Sequence, residues 1–224
     1  MRHELKYMIG PTAAATLKKI LPALLSYDPH YEDGHYTVSS LYFDDLSFSA
    51  YNDKMNGEED REKFRIRLYN GDESYLVLEK KCKKNDMVNK YSYLMNKNAV
   101  LCAIGGKSIE GGCDLAKEFN AKVISQGLRP VLNVKYERTA FVFPVGGTRI
   151  TIDENIRFSL DSRSLFDGEI PFFPLPFESE TVLEVKYGDV FPSFLVPVLS
   201  SVSAERTAYS KYAMAVSAIE GSYI

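Results

Sequence analysis

Phe64-Arg65-Ile66-Arg67-Leu68 reads as a β-strand with two chemically different faces. Strand side chains alternate, so Phe64, Ile66 and Leu68 line one face while Arg65 and Arg67 line the other. Residues two apart on one face stand roughly 7 Å from each other, which sets two like charges side by side. The same scheme recurs in Leu78-Glu79-Lys80-Lys81, Arg149-Ile150-Thr151-Ile152-Asp153, Leu183-Glu184-Val185-Lys186-Tyr187 and Arg2-His3-Glu4-Leu5-Lys6. One such strand is explained by a half-exposed antiparallel sheet with its charges in water. Repeated along the chain, with basic pairs and a lone carboxylate at strand centres, the pattern predicts a concave charged surface. Such a surface attracts a polyanion and, through its carboxylates, a divalent metal.

Working outward, Asn70-Gly71-Asp72-Glu73 between segments 62–70 and 74–82 is a hairpin signal. Further strands are expected near residues 2–9, 36–43, 88–95, 130–143, 147–158 and 180–187. Leu17, Ile20, Leu21, Leu24 and Leu25 recur at helical spacing behind Thr12 as N-cap, with Asp28-Pro29 ending the helix. A short helix near 46–54 has Asp44 or Asp45 near its cap, and residues 96–128 turn helical with glycine breaks. Helices near 190–201 and 207–220 close the list, and 161–178 is irregular. Strands and tight hairpins dominate, so the fold class is α+β: an antiparallel closed barrel with helices packed outside.

The 224 residues are 45% hydrophobic and 25% charged, an ordinary globular composition. The length allows one large domain or two small ones; with no repeat or linker, residues 1–224 are read as a single domain. A net charge of −3 argues against a non-specific nucleic-acid binder, so no nucleic-acid partner is expected and any basic surface is local. Cys82, Cys102 and Cys113 form no CxxC and have no clustered histidines, which predicts reduced thiols rather than disulfides or structural zinc. No apolar leader follows Met1, and no apolar run reaches the length of a membrane span. A cytoplasmic protein without a membrane segment is the expectation.

Gly105-Gly106-Lys107-Ser108 resembles the tail of a P-loop, but Leu101 stands where that motif needs its first glycine. His3, His30 and His35 are scattered. Glu4, Glu79, Asp153 and Glu184 form a better set, each on a strand face shared with a cation. Their hard oxygens suit Mg²⁺ or Mn²⁺, with phosphate and water completing the shell. Alternatively, these acids neutralise cationic neighbours across strands.

Taken in order, several segments resemble the polyphosphate polymerase domain of the vacuolar transporter chaperone (VTC) family, within the triphosphate tunnel metalloenzymes. They are Arg2-His3-Glu4-Leu5-Lys6-Tyr7, Ser40-Leu41-Tyr42-Phe43-Asp44, Lys63-Phe64-Arg65-Ile66-Arg67-Leu68-Tyr69 and Leu78-Glu79-Lys80-Lys81. They continue with Lys135-Tyr136-Glu137-Arg138-Thr139-Ala140-Phe141, Arg149-Ile150-Thr151-Ile152-Asp153, Leu183-Glu184-Val185-Lys186 and Tyr209-Ser210-Lys211-Tyr212. Each is weak alone; eight in one order are specific.

The resemblance implies a tunnel of about eight antiparallel strands whose interior cations bind triphosphate or polyphosphate. By position, Lys6, Arg65, Arg67, Lys81, Lys90, Arg138, Arg149 and Lys211 match phosphate-binding cations, while Tyr136 and Ser210 match polar contacts. Arg65, Arg67, Lys81, Arg138, Arg149 and Lys211 are assigned to catalysis. Lys186, on the Glu184 face, joins Lys6, Lys90, Tyr136 and Ser210 in binding phosphate. Glu184 matches the metal-binding glutamate, Glu4 the position of a superfamily metal-binding acid, and Glu79 is kept as a third ligand for Mn²⁺ or Mg²⁺. Two positions depart from the pattern: Arg2 replaces the first acid of an ExExK opening, and Ala208 stands where some polymerases carry a lysine. The implied activity is ATP-dependent polyphosphate synthesis, with ATP, inorganic triphosphate or polyphosphate as ligands, in a stand-alone version of the domain. A metal-dependent tri(poly)phosphatase and a non-catalytic polyphosphate or nucleotide sensor are the alternatives, the latter favoured by Arg2.

Overall fold

The computed structural model describes residues 3–29, 34–84, 87–175 and 181–221, with Arg2 and His30 outside them. Its strands are β1 (His3–Ile9), β2 (Ser26–Tyr27), β3 (His35–Asp44), β4 (Asp60–Tyr69), β5 (Leu76–Lys84), β6 (Met87–Met95), β7 (Arg129–Phe143), β8 (Thr148–Ser159), β9 (Phe173–Pro174), β10 (Thr181–Tyr187) and β11 (Ala204–Arg206). The α-helices are α1 (Pro11–Ile20), α2 (Ser49–Met55), α3 (Lys97–Ile104), α4 (Asp114–Gln126), α5 (Leu195–Ser200) and α6 (Lys211–Glu220).

The chain divides into two compact units made of interleaved segments. The first comprises Met1–Thr37, Tyr136–Ile156 and Pro174–Ser210, and the second Val38–Lys135, Arg157–Phe173 and Lys211–Ile224. Strands β3, β7, β8 and β9 contribute residues to both.

In the first unit the hydrogen-bonded strand order is β11-β1-β10-β8-β7. Ile150, Ile152, Leu183 and Val185 project from one sheet face onto Ala14 and Leu17 of α1 and Leu195 of α5. In the second unit the order is β7-β3-β4-β5-β6. There Phe64, Ile66, Leu68, Leu76 and Leu78 pack with Val100 and Ala103 of α3 and Ala116 and Phe119 of α4. Phe119 stands edge-on to Phe43 and Phe64, with centroids 5.2 and 5.7 Å away. Each large apolar side chain buried this way stabilises by roughly 1.5–3 kcal/mol. Since apolar residues take the helix-covered face, alternation leaves the charged residues of the same strands on the opposite face.

The β4–β5 hairpin forms where the sequence places it. Asn70 and Gly71 both adopt left-handed conformations, φ 50° and 71°, as a type I′ turn requires. The pairs β1–β10, β10–β8, β3–β4, β4–β5 and β5–β6 are all antiparallel. The antiparallel sheet carrying helices on its apolar face therefore holds. Closure has no counterpart in these ladders: β11 and β6 are terminal strands, and neither has a second partner strand among the described residues.

Four local expectations are corrected. Helix α1 is capped by Gly10 with Pro11 at its first position, not by Thr12, because proline's fixed φ already suits the first turn. It gives way to a 3-10 turn at Leu21–Ala23, where Pro22 offers no N–H to continue the ladder, well before Asp28-Pro29. The helix expected over 190–201 covers only Leu195–Ser200, and the last helix starts at Lys211, because residues 204–206 form β11 beside β1. No helix among the described residues is long and apolar enough to cross a membrane.

Candidate functional site

In the second unit the registers set Tyr42, Arg65, Glu79 and Ser92 opposite one another across β3, β4, β5 and β6. Lys63, Lys81 and Lys90 form a neighbouring row, and Ser40 faces Arg67. Strands β4 to β6 thus set five cations on the Glu79 face, and three of them reach its carboxylate. Its Oε2 accepts from Arg65 Nε at 2.7 Å and lies 3.7 Å from Arg67 Nε, while Oε1 accepts from Lys90 Nζ. Burial pushes the Glu79 carboxyl up, but Arg65, Arg67 and Lys90 outweigh it and hold the group well below the usual carboxylate range. Arg65 also donates to the Tyr42 hydroxyl at 3.3 Å, and Arg67 to Ser40 and Tyr69, each at 3.3 Å. Arg67 and Glu79 are buried and Lys81 is half-buried.

Lys211, the first residue of α6, belongs to the same unit and raises the positive potential at Tyr42. Its helix is tied down by Tyr212, whose hydroxyl donates to Asp44 Oδ2 at 2.6 Å. Asp44 also accepts the backbone N–H groups of Asp45, Ala50 and Tyr51. The N-cap of α2 is Phe48, without a side-chain cap of its own; Asp44 and Asp45 stand near it, as expected, and Asp45 accepts from the N–H groups of Ser47 and Ser49.

In the first unit, β1 and β10 pair so that Glu4 faces Lys186 and Lys6 faces Glu184. On the next strand Arg149 lies opposite Lys186 and Thr151 opposite Glu184. Lys186 Nζ is 2.9 Å from Glu184 and 3.9 Å from Glu4, and Lys6 Nζ is 3.4 Å from Glu4 and donates to the Tyr209 carbonyl at 3.1 Å. Arg138 binds Asp153 through two parallel hydrogen bonds, 2.6 and 2.8 Å, and reaches within 3.8 Å of Glu184. Its guanidinium lies 5.2 Å from the centroid of the buried Tyr136 ring. Burial lowers the Lys186 amine to about 8 despite Glu184 and Glu4. Burial also pushes Glu184 up, but Lys186, Lys6 and Arg138, with a hydrogen bond to Glu4, keep it well below the ordinary glutamate value.

Arg149 shows a feature invisible in the sequence. Its Nη2 donates to Asp28 at 2.6 Å and to Tyr36 at 2.7 Å, while its buried Nε meets no acceptor among the described residues. A donor left open beside a fixed guanidinium can receive a ligand oxygen. Asp28 and Tyr36 escaped the sequence reading because only tertiary packing brings them to Arg149. Ser210 is buried in this unit.

Of the four carboxylates, Asp153 is fully buried and binds Arg138 through both oxygens, while Glu79 is held by Arg65, Arg67 and Lys90 within the second unit. Glu4 and Glu184 flank the Lys186 amine at 3.9 and 2.9 Å, and the buried Thr151 hydroxyl beside Glu184 has no partner among the described residues. Two carboxylates and an open hydroxyl are hard oxygen donors of the kind Mg²⁺ or Mn²⁺ takes, provided phosphate and water supply the rest. Among the described residues no group of three or more His, Cys, Asp or Glu side chains is arranged to hold an ion. The cysteines are unbonded, half-buried thiols, as expected.

Vacuolar transporter chaperone complex subunit 4 from Schizosaccharomyces pombe is 26% identical over 270 aligned positions. That alignment covers 98% of this chain and 37% of the relative, so the chain spans just over a third of its length. Among solved structures, a candidate adenylate cyclase from Bacillus halodurans superposes with a TM-score of 0.55 at 14% identity, covering 92% of this chain and 93% of the other. The candidate adenylyl cyclase HpAC1 from Hippeastrum, described as having a dominant triphosphatase activity, gives 0.54 at 14% identity, covering 95% and 94%. At such identities the likeness shows the fold alone. A family model described as the VTC domain matches residues 1–220, and with nearly every residue accounted for, the chain belongs to the VTC domain family.

Proposed function

We propose that this chain is an ATP-dependent polyphosphate polymerase, acting in the cytoplasm as a single catalytic module that closes its sheet into a tunnel. The observation that carries the reading is the charge balance of one sheet face. Lys63, Arg65, Arg67, Lys81 and Lys90 share this face with Glu79, a concentration of positive charge that draws a ligand with about one negative charge per phosphate. Clustered charge of one sign raises the local concentration of an oppositely charged ligand, so the face favours polyanions over neutral ligands.

Arg65, Arg67, Lys81 and Lys211 bind and orient phosphate groups, as do Lys6, Arg138, Arg149 and Lys186 with Tyr136 and Ser210. Phosphoryl transfer asks mainly for positioning and charge neutralisation, which these residues supply without a protein nucleophile. A terminal phosphate oxygen of the growing chain attacks the γ-phosphorus of ATP, the bond to the β,γ-bridging oxygen breaks, and ADP leaves. Glu184 and Glu4, with the Thr151 hydroxyl, are the residues that would hold Mg²⁺ or Mn²⁺. When bound, that ion supplies charge neutralisation at phosphate oxygens. Glu79 instead keeps Arg65 and Lys90 extended.

A metal-dependent triphosphatase is the second reading, favoured by the triphosphatase activity described for the Hippeastrum neighbour. The two differ in whether phosphate or water attacks. Incubating the pure protein with ATP and Mn²⁺ or Mg²⁺ and resolving products by gel decides between them. Long polyphosphate is expected; phosphate alone selects the triphosphatase, and tight binding without turnover selects a sensor.

A further inference from the structure

Tyr42 lies in a strand segment that carries the family resemblance but has no role assigned from the sequence, yet its surroundings are those of a ligand contact. It lies on the charged face of β3, opposite Arg65, and only 3% of its surface is exposed. Lys63 Nζ and the Arg65 guanidinium lie 5.7 and 5.9 Å from its ring centroid. The ring stacks on Tyr212, with centroids 5.2 Å apart and planes 28° off parallel. Tyr212 is anchored by its hydrogen bond to Asp44, so the phenol is held in place from behind.

The hydrogen-bond inventory at the phenol is incomplete. Its oxygen accepts from Arg65 Nη1 at 3.3 Å, but its own O–H finds no acceptor among the described residues. A buried hydroxyl with an unused donor carries a cost that a ligand acceptor removes. Burial pushes the phenol up, and Arg65, Arg67 and Lys211 reverse that, leaving it below the ordinary tyrosine value. A more acidic O–H is a stronger donor, and one surrounded by cations is suited to an anionic acceptor. The ring of Tyr42 closes off the β3 side of Arg65 while Glu79 holds the other, so an anion on this guanidinium sits within reach of the phenol.

We propose that Tyr42 is a further phosphate-binding residue, its phenol O–H donating to a phosphate oxygen held by Arg65 and Arg67. This deepens the polyphosphate reading and rests on it. The test is calorimetric titration of the whole chain with inorganic triphosphate in chelator, using the wild type, Tyr42→Phe, Arg65→Ala and the double variant. Tyr42→Phe keeps the stacked ring, and a thermal melt confirms its fold. Its affinity should fall on the order of tenfold to a hundredfold, with a comparable further loss in the Arg65→Ala background. A wild type that binds beside a Tyr42→Phe variant that binds equally well overturns the assignment and leaves the polyphosphate reading standing. A loss that vanishes in the Arg65→Ala background also overturns it, since the phenol would then act only by propping Arg65. A wild type that binds no triphosphate removes both.

Discussion

Arg138 and Asp153 are joined by two parallel hydrogen bonds in which Nε meets Oδ1 and Nη2 meets Oδ2, and the aspartate has no exposed surface. Removing one partner strands the other charge out of water. Asp153→Ala should therefore destabilise the fold by about 3–5 kcal/mol, read by urea unfolding. Replacing both residues with apolar ones of similar size should cost less than the single change. Equal losses would show that the pair contributes packing rather than charge compensation.

Glu79 gives the protein an acid-sensitive component. Its folded-state pKa lies below that of an ordinary glutamate because Arg65, Arg67 and Lys90 overcome the effect of burial. Its contribution is thus complete above that ordinary value and is lost as pH falls through the lower folded one. Denaturation midpoints should drop on acidification below about pH 5. Glu79→Gln should flatten that slope and cost on the order of 1.5–3 kcal/mol at neutral pH. An unchanged slope would mean that other carboxylates carry the acid response.

Glu184 adds negative charge to a site built for polyanions, so in the absence of metal it opposes the ligand. Glu184→Gln is expected to abolish most metal-dependent turnover of ATP while leaving triphosphate binding in chelator unchanged or tighter. Phosphate release with metal and calorimetry without it read the two effects separately. Full metal-dependent activity in this variant would reduce Glu184 to a counter-ion of Lys186.

Triphosphate in excess should raise the melting temperature, since a ligand of the folded state alone stabilises by mass action. The shift should shrink as salt is added, because exposed parts of the site are screened and anions compete. No shift at low salt would argue against a phosphate site on the sheet face that carries Glu79.

Much of this was legible in the chain. The alternation in β4, β5, β8 and β10 fixed which residues face the helices, because a period of two leaves no other assignment once Ile66, Leu68, Ile150 and Ile152 are buried. Asn70-Gly71 placed the hairpin by its backbone preference. Strand β11 was not legible, since its three exposed residues carry no apolar alternation and exist as a strand through pairing with β1. The bidentate Arg138–Asp153 pair and the Arg149–Asp28–Tyr36 contacts were hidden for a similar reason. They depend on how strands meet, and residue spacing along one strand is silent on that.

The facing of Glu4 with Lys186 and of Lys6 with Glu184 also bears on how the chain finds its fold. Sliding β1 along β10 by two residues keeps every apolar side chain on the correct face, so burial alone does not reject the slip. One such slip sets Lys6 against Lys186, and the opposite slip sets Glu4 against Glu184. Like charges directly opposite are destabilising, so both misalignments are penalised where hydrophobicity is indifferent. The residues assigned here to ligand chemistry thereby act as a checksum on strand assembly, and neutralising them should slow correct folding even when no phosphate is present.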